Sequence, residues 1–175
     1  MQKIIDQLIS HDPKFDTLLN TFVFKLVPMI NVDGVVIGNA RSSLVGLDLN
    51  RRWTNPNPLL HPEIFFLKET MKRIKTLYGK LAIFCDLHGH NKQMNSFFYG
   101  CNKAANEGLL SWTKTRLLPK IYAASTPLFC FKSSKFKVDK FKLNTARVVA
   151  WNEMKVTNSF TLETSMYGKN VIVGD

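Results

Sequence analysis

The sequence predicts an α/β domain, in which helices cover both faces of a mixed, mainly parallel, twisted sheet. Two observations predict this fold class. Apolar runs rich in β-branched and aromatic residues, which are typical of buried strands, alternate along the chain with segments of helical periodicity. The length of 175 residues and the hydrophobic fraction of 45% fit one globular domain with a substantial core. No apolar run approaches the roughly 20 residues that a membrane-spanning helix needs.

The beginning of the chain predicts two helical segments followed by a strand. Residues 1–9 are amphipathic and mixed in charge, and a second helical turn is expected over residues 14–20. Residues 22–30 are almost all apolar, as expected for a strand inside a parallel sheet. The segments 31–34 and 38–39, which contain Asn and Gly, then predict turns.

A long loop, a helix and a strand come next. Residues 41–58 are rich in Gly, Asn, Asp and Pro, and loops of that length are usually functional or disordered. Pro62 suits the first position of a helix, and apolar side chains then recur at helical spacing. The other face of this helix is predicted to carry lysines, namely Lys68, Lys72 and Lys75. The predicted helix spans residues 62–78 and ends at Gly79. A short apolar strand over residues 81–88 follows it.

The remaining elements are three strands, one helix and a basic segment. The helix is expected over residues 107–123 with an interruption near Pro119, because proline cannot donate the helical hydrogen bond. Lysines alternate with Phe and Val over residues 132–142. The three predicted strands are residues 96–101, 147–151 and 159–164.

The composition predicts an intracellular protein with acidic partners. The chain carries 24 Lys and Arg against 13 Asp and Glu, so its net charge is +11, and such a field attracts acidic proteins, nucleic acids or anionic membranes. Cys85, Cys101 and Cys130 are widely spaced, which disfavours a disulfide framework and a cysteine zinc site and favours a reducing compartment. The first nine residues lack the apolar centre and the cleavage site of a signal peptide.

His88 is the first candidate for chemistry. It lies in the run Leu81-Ala-Ile-Phe-Cys-Asp-Leu-His-Gly-His90, so the sequence predicts an imidazole at the carboxyl end of a buried strand. Ligands and catalytic groups collect at that end of the strands in open α/β sheets. On the residues alone, a structural histidine and a metal ligand both remain open for His88.

A cluster of charged residues in the long loop is the second candidate. Arg51 and Arg52 follow Asn50, and consecutive guanidinium groups beside an amide are suited to clamping a carboxylate. Arg41 and Asp48 belong to the same loop, where Asp48 could orient an imidazole or pair with an arginine. The alternative is a solvated loop whose charges serve solubility.

Glu163 is the third candidate. Strand alternation places it on the face shared with Ser159 and Thr161, and a carboxylate at the end of an apolar strand is a candidate general base. Arg147, at the start of the preceding predicted strand, is expected to come near it. The alternative is an exposed carboxylate at a strand end.

The order of these groups along the chain resembles the zinc metallocarboxypeptidases of the carboxypeptidase A type. That order is an arginine, then Asp-x-Asn-Arg, then Asp-x-His at a strand end, then a strand-end glutamate. Five local segments strongly resemble one branch, the cytosolic carboxypeptidases, which trim glutamates from tubulin tails and other acidic protein ends. These segments are residues 22–34, 38–44, 46–53, 86–90 and 159–164.

The resemblance implies a zinc-dependent hydrolase and assigns roles around its metal. His88 is similar to the third protein ligand of the catalytic Zn2+ ion. Glu163 is similar to the general base that activates the zinc-bound water, and Arg41 is similar to a residue that faces the scissile carbonyl. Asp48 is similar to the carboxylate that orients the first zinc histidine.

The resemblance also implies how a substrate is held. Asn50 and Arg51 are similar to residues that hold the terminal carboxylate. Arg147 lies in Asn144-Thr-Ala-Arg147, which is similar to a Gly-Thr-Gly-Arg element of the family, and we expect it to recognise an acidic side chain. The implied partners are acidic C-terminal tails such as polyglutamylated tubulin, with no specific nucleic acid and no membrane. A cytoplasmic monomer, associated with the cytoskeleton, is expected.

The family's pattern is incomplete in this sequence. Its first two zinc ligands come from a His-x-x-Glu motif that precedes the segment matched by residues 22–30, whereas His11 has no acidic residue three positions on. Residues 1–9 resemble the helix after that motif. We therefore expect residues 1–175 to be the carboxy-terminal portion of one zinc carboxypeptidase catalytic domain, without its amino-terminal strands. The alternative to an active carboxypeptidase is an inactive fragment or pseudoenzyme that binds acidic tails without zinc catalysis.

Overall fold

The computed structural model describes residues 1–102 and 108–170, and it confirms the α/β fold class and the mixed sheet. The strands are β1 Ile83–His90, β2 Ser96–Tyr99 and β3 Asn158–Ser165. Their spatial order is β1-β3-β2. β1 pairs with β3 in parallel over eight residue pairs, and β2 pairs with β3 in the antiparallel sense over four.

Six α-helices and four short 3-10 turns lie within the described residues. The 3-10 turns are Pro13–Phe15, Leu49–Arg51, Phe131–Ser133 and Lys140–Lys142. The helices are α1 Gln2–Leu8, α2 Asp16–Thr21, α3 Val32–Ile37, α4 Pro62–Tyr78, α5 Gly108–Ser125 and α6 Ala146–Asn152. None of these described helices combines the length and the apolar composition needed to cross a lipid bilayer.

The helix predicted over residues 62–78 is confirmed as α4. Proline occupies its first position, and Gly79 ends it in the left-handed conformation with a φ of 77°, which glycine adopts without a Cβ clash. Ile64 and Met71 are buried in the main apolar cluster. Lys72 is exposed to solvent as the periodicity predicts, whereas Lys68 is buried, so the prediction of a solvent-facing side made of lysines is wrong at Lys68.

The interruption predicted near Pro119 is wrong, because α5 continues through it. Pro119 is fully buried. The packing around its ring therefore holds the backbone on a helical path, although proline leaves one helical hydrogen bond unmade. The predicted start of this helix at Glu107 lies outside the described residues.

The strand predicted over residues 22–30 is wrong. The backbone is extended at Phe22, with a φ of −127° and a ψ of 142°, but no strand among the described residues pairs with this segment. An extended segment becomes part of a sheet only when a neighbour exchanges backbone hydrogen bonds with it. The side chains of Phe22, Val23 and Phe24 are correspondingly exposed.

The turn predicted at residues 31–34 is the beginning of a helix. The side chain of Asn31 accepts a hydrogen bond from the backbone N–H of Gly34 at 3.2 Å, and this contact caps α3. Gly38 then ends α3 with a φ of 86°. Asn and Gly have the same conformational preferences at helix ends as in turns, so the local sequence does not distinguish the start of α3 from a turn.

The strand predicted over residues 147–151 is also wrong, since these residues belong to α6. The residues from Ala146 to Ala150 are all buried, so this part of the helix has no polar face. A short, continuously apolar run cannot be assigned to a strand or to a buried helix by periodicity alone. The backbone N–H of Ala146 donates to Oδ1 of Asn50 at 2.9 Å, which satisfies one of the open donors at the start of α6.

Two apolar clusters hold the helices on the sheet. The first joins α4, α6 and the turn at Leu49–Arg51, and it contains Trp53, whose ring lies edge-on to Phe84 of β1 with 6.2 Å between the ring centroids. The second cluster is aromatic and contains Phe98 of β2 and Phe160 of β3, whose ring centroids are 4.8 Å apart. The sheet is thereby fixed between two separately packed groups of side chains.

Replacing Trp53 with alanine is expected to lower the free energy of unfolding by about 3–5 kcal/mol, because a side chain that is 2% exposed would leave a cavity. Chemical denaturation followed by circular dichroism measures this change. Leu59→Ala is the control, since Leu59 is 88% exposed and its loss is expected to matter by less than about 0.5 kcal/mol. Equal effects of the two substitutions would contradict the assignment of Trp53 to the core.

Candidate active site

A cleft at the carboxyl ends of β1 and β3 brings together six of the seven predicted site residues. Its volume is about 210 Å³. The predicted residues among those that line it are Arg41, Asn50, Arg51, His88, Arg147 and Glu163. The seventh, Asp48, lines an adjoining pocket. Groups from the long loop, from two strands and from one helix therefore meet at one place, although they are widely separated in the sequence.

His88 lies beside a carboxylate of its own strand. Its Nε2 atom is 2.8 Å from Oδ2 of Asp86, two residues earlier on the same face of β1. This hydrogen bond raises the pKa of the His88 imidazole above its usual value, although partial burial acts in the opposite direction. Asp86 is a member of the site that the sequence reasoning did not assign. The Asp-x-His spacing on a strand could have identified it, since residues i and i+2 share a face.

Glu163 lies directly opposite His88 in the parallel ladder. It is 8% exposed, so the predicted alternative of an exposed carboxylate does not apply. Its Oε2 atom is 3.7 Å from Nδ1 of His90, a second imidazole that lines the cleft. A buried carboxylate that faces a cleft can take a proton from a bound water.

The turn at Leu49–Arg51 carries the predicted carboxylate clamp. Asp48 precedes this turn, and its Oδ1 atom accepts a hydrogen bond from the backbone N–H of Asn50 at 2.9 Å. Its Oδ2 atom accepts a hydrogen bond from Nε of Arg41 at 2.7 Å and lies 3.8 Å from an Arg51 nitrogen. Of the two roles open for Asp48, the structure contains the pairing with arginine. Its role in orienting a zinc histidine stays a prediction.

Asn50 connects three elements of the cleft. Its Oδ1 atom accepts the backbone N–H of Ala146 at the start of α6, and its Nδ2 atom donates to Oδ2 of Asp86 at 3.3 Å. The same Asp86 oxygen contacts His88. The Asn50 amide therefore fixes the clamp turn against both α6 and the end of β1, in addition to its predicted role in binding substrate.

Arg147 is placed by the first turn of α6 rather than by a strand. Its side chain is buried, with the residue only 3% exposed, and it donates a hydrogen bond to the backbone carbonyl of Gly100. Burial lowers the pKa of the guanidinium. Its Nε atom has no hydrogen-bond partner among the described residues. A buried guanidinium with an unused donor favours an anionic ligand, because an unpaired charge in the interior is costly.

Two further side chains beside Arg147 were not predicted. The ring of Tyr99 lies 5.7 Å from the Arg147 guanidinium carbon and 4.4 Å from Nζ of Lys142. Burial, together with the nearby Glu163 carboxylate, raises the pKa of the Tyr99 phenol. Both residues line the cleft. Tyr99 could have been found from the alternation of β2, whereas Lys142 lies in a 3-10 turn that carries no comparable periodic signal.

The described residues do not by themselves supply a zinc site. A catalytic Zn2+ takes three protein ligands and leaves a fourth position for water. Within the part of the chain that the structure describes, no three His, Cys, Asp or Glu side chains lie close enough together to hold a metal ion. His88 with Asp86 and His90 with Glu163 form two pairs rather than one cluster.

The charges of the cleft suit a carboxylate-bearing ligand. Arg41, Arg51 and Arg147 contribute three guanidinium groups, each of which can bind a carboxylate with two parallel hydrogen bonds. Arg41 and Arg51 share Asp48, whereas Arg147 contacts a neutral carbonyl. A ligand with more than one carboxylate would therefore find more than one guanidinium group in the cleft.

Comparisons with known proteins show which family the chain resembles. The profile of the zinc carboxypeptidase family matches residues 1–173. Cytosolic carboxypeptidase 1 of Gallus gallus is 39% identical over 178 residues, which cover 96% of this chain and 14% of that protein. Cytosolic carboxypeptidase 4 of Homo sapiens is 38% identical over 180 residues, which cover 97% of this chain and 16% of that protein. The chain thus spans only a small part of the length of these relatives.

A solved structure has the same fold. The metallo-carboxypeptidase from Burkholderia cenocepacia superposes with a TM-score of 0.68 over 79% of this chain and 34% of that chain, at 23% sequence identity. This likeness shows the shared arrangement of helices and strands. It agrees with the α/β class that the sequence predicts.

Asp86→Asn is expected to lower the pKa of His88, because the hydrogen bond to the Asp86 carboxylate is the main cause of its elevation. The hydrogen bond between His88 and Asp86 contributes fully to the free energy of unfolding below the unfolded-state pKa of histidine, about 6.5. This contribution is lost as the pH rises through the higher pKa of His88 in the folded state. Titration of the imidazole resonances by NMR measures the pKa. Asp33→Asn is the matched control, and an unchanged His88 pKa in Asp86→Asn would contradict the proposed cause.

Proposed function

Because the chain belongs to the zinc carboxypeptidase family, we propose that the protein carrying it is a metallocarboxypeptidase that removes residues from the carboxyl ends of proteins. The observation that carries this proposal is the convergence of Arg41, Arg51, Arg147 and Glu163 on one cleft. Hydrolysis at a chain end needs a group that binds the free carboxylate and a base that activates water. These four side chains provide both kinds of group.

Arg51 explains why cleavage would occur only at a chain end. A guanidinium binds a free carboxylate with two parallel hydrogen bonds, whereas an internal peptide bond has no such charge. Asn50 adjoins it and is fixed by Asp86 and by the start of α6. The terminal carboxylate would thus be held at a rigid position, and the scissile bond would lie one residue further towards Glu163.

Glu163 is the proposed general base. It would accept a proton from the water that attacks the scissile carbonyl, and Arg41 would face the negative charge that develops on the carbonyl oxygen. His88, opposite Glu163 in the ladder, is the proposed zinc ligand. The zinc that the family name implies needs ligands beyond those that the described residues bring together.

The proposed substrate is an acidic tail, with glutamate as the residue removed. Arg147, which lines the cleft, offers a buried guanidinium whose Nε donor has no partner among the described residues. The net charge of +11 attracts acidic polymers over a longer range. Polyglutamylated tubulin tails have this chemistry, and the names of the similar cytosolic carboxypeptidases support a cytoplasmic location where such tails are found.

The second candidate function is a binding module without catalysis. It is favoured by one observation, namely that the described residues contain no cluster of three metal ligands. The arginine groups do not depend on a metal for their hydrogen bonds to Asp48 and Gly100. A domain of this kind would still bind acidic carboxyl ends and would protect them instead of cleaving them.

Arg51→Ala is expected to weaken binding of a glutamate-terminated acidic peptide by about 10- to 100-fold, the effect of losing hydrogen bonds between charged partners. Isothermal titration calorimetry, with a chelator present to prevent hydrolysis, measures the affinity. Arg73→Ala removes the same charge from the exposed face of α4 and serves as the control. Equal losses in both variants would mean that only net charge matters, and the carboxylate site would be wrong.

Glu163→Gln is expected to reduce glutamate release from such a peptide by at least about 100-fold while peptide binding is retained, because the amide cannot accept the proton from water. Mass spectrometry of the products measures release, and the zinc content of the same preparations is determined alongside. Stoichiometric zinc with this loss supports the peptidase. A chain without zinc and without glutamate release, but with Arg51-dependent peptide binding, supports the module.

A further inference from the structure

We propose that Lys68 and Glu153 are positioning residues. They hold the clamp turn, Leu49–Arg51, which carries Asn50 and Arg51, at a fixed position relative to α6, the helix that carries Arg147. Neither residue lines the cleft. The inference rests on the proposed function, because it assumes that Arg51 binds a terminal carboxylate. It extends that function by identifying what keeps the two basic parts of the cleft at a fixed separation.

Lys68 is a buried lysine on α4 with all of its donors in use. The residue is 5% exposed, and its ammonium group donates to the backbone carbonyl of Trp53 at 2.8 Å and to that of Thr54 at 2.7 Å. The third contact is an ion pair with Oε2 of Glu153 at 2.7 Å. An ammonium group has three N–H donors, so this arrangement satisfies it completely. Lysine is almost never buried unless it is paired in this way.

The contacts of Lys68 join the two elements that bear arginine. Trp53 and Thr54 follow Arg51 by two and three residues, so the ammonium group holds the end of the clamp turn. Glu153 directly follows α6, whose first turn carries Arg147. The Lys68 ammonium group therefore connects Trp53 and Thr54, which follow the clamp turn, with Glu153 at the carboxyl end of α6.

A second set of contacts makes this connection a geometric constraint. Asn50 contacts the start of α6 through the backbone N–H of Ala146. Asn144, just before α6, accepts the backbone N–H of Trp53 at 3.2 Å through its carbonyl and the hydroxyl of Thr54 at 2.7 Å through its side chain. Asn50, Trp53 and Thr54 are thus all attached to the beginning of α6, and Lys68 adds the connection of Trp53 and Thr54 to Glu153 at its end. Removing Lys68 would leave the turn attached to α6 at the beginning of the helix only.

The test compares two peptides of the same acidic sequence, one with a free terminal carboxylate and one with a terminal amide, bound to the full chain. Lys68→Met is expected to reduce the preference for the free carboxylate by about tenfold, the effect of one misplaced charge-assisted hydrogen bond. Lys68→Arg is expected to restore part of that preference, since a guanidinium can reach the same acceptors. Lys72→Met, which removes an exposed lysine paired with Glu69 on the same helix, is the matched control.

The ratio of the two affinities separates positioning from simple stabilisation. A variant that only lowers the folded fraction weakens the binding of both peptides equally and leaves the ratio unchanged, and this result would overturn the inference. Should Lys68→Met fail to fold, Glu153→Gln decides, because Glu153 lies nearer the surface and its amide keeps the shape while removing the ion pair. An unchanged ratio in Glu153→Gln would then overturn the inference. A wild-type chain that does not distinguish the peptides would instead overturn the proposed function.

Discussion

The parallel pairing of β1 with β3 is the interaction on which the rest of the site depends. It runs over eight residue pairs and sets His88 opposite Glu163. Side chains on a strand alternate between faces, so a shift of one residue would turn Glu163 away from the cleft and replace it with Leu162 or Thr164. The register is held by burial on both sides of the sheet, chiefly by the aromatic packing around Phe160.

The second constraint is the burial of two positively charged side chains. Arg147 and Lys68 are both nearly inaccessible to solvent, and each is held by backbone carbonyl groups. Burying a charge without partners would cost several kcal/mol, so these cations must be matched by fixed acceptors. The difference between them is informative: the ammonium group of Lys68 has used all of its donors, whereas Arg147, which lines the cleft, has a buried Nε donor without a partner among the described residues. The first is suited to holding structure, and the second is suited to binding a ligand.

Much of the fold could be predicted from local sequence signals, and the two wrongly predicted strands share one cause. The bounds of α4 were predictable because Pro62 and Gly79 act through their own backbone preferences and the helix has one buried face. The segments 22–30 and 147–151 were wrong because each is a short apolar run whose structure depends on its neighbours. The first has no pairing partner among the described residues, and the second is buried on all sides as a helix. Neither feature can be recognised from the local sequence pattern.

The sequence by itself determined the identity and the order of the chemical groups, because Arg41, Asn50-Arg51, His88 and Glu163 occur in local motifs that can be read one after another. Only the tertiary structure decided which of them are neighbours. Asp48 pairs with Arg41, Asn50 reaches Asp86 and the start of α6, and Arg147 enters the cleft from a helix. Those relations depend on hydrogen bonds between residues as many as 96 positions apart, and periodicity within a segment carries no information about such distant partners.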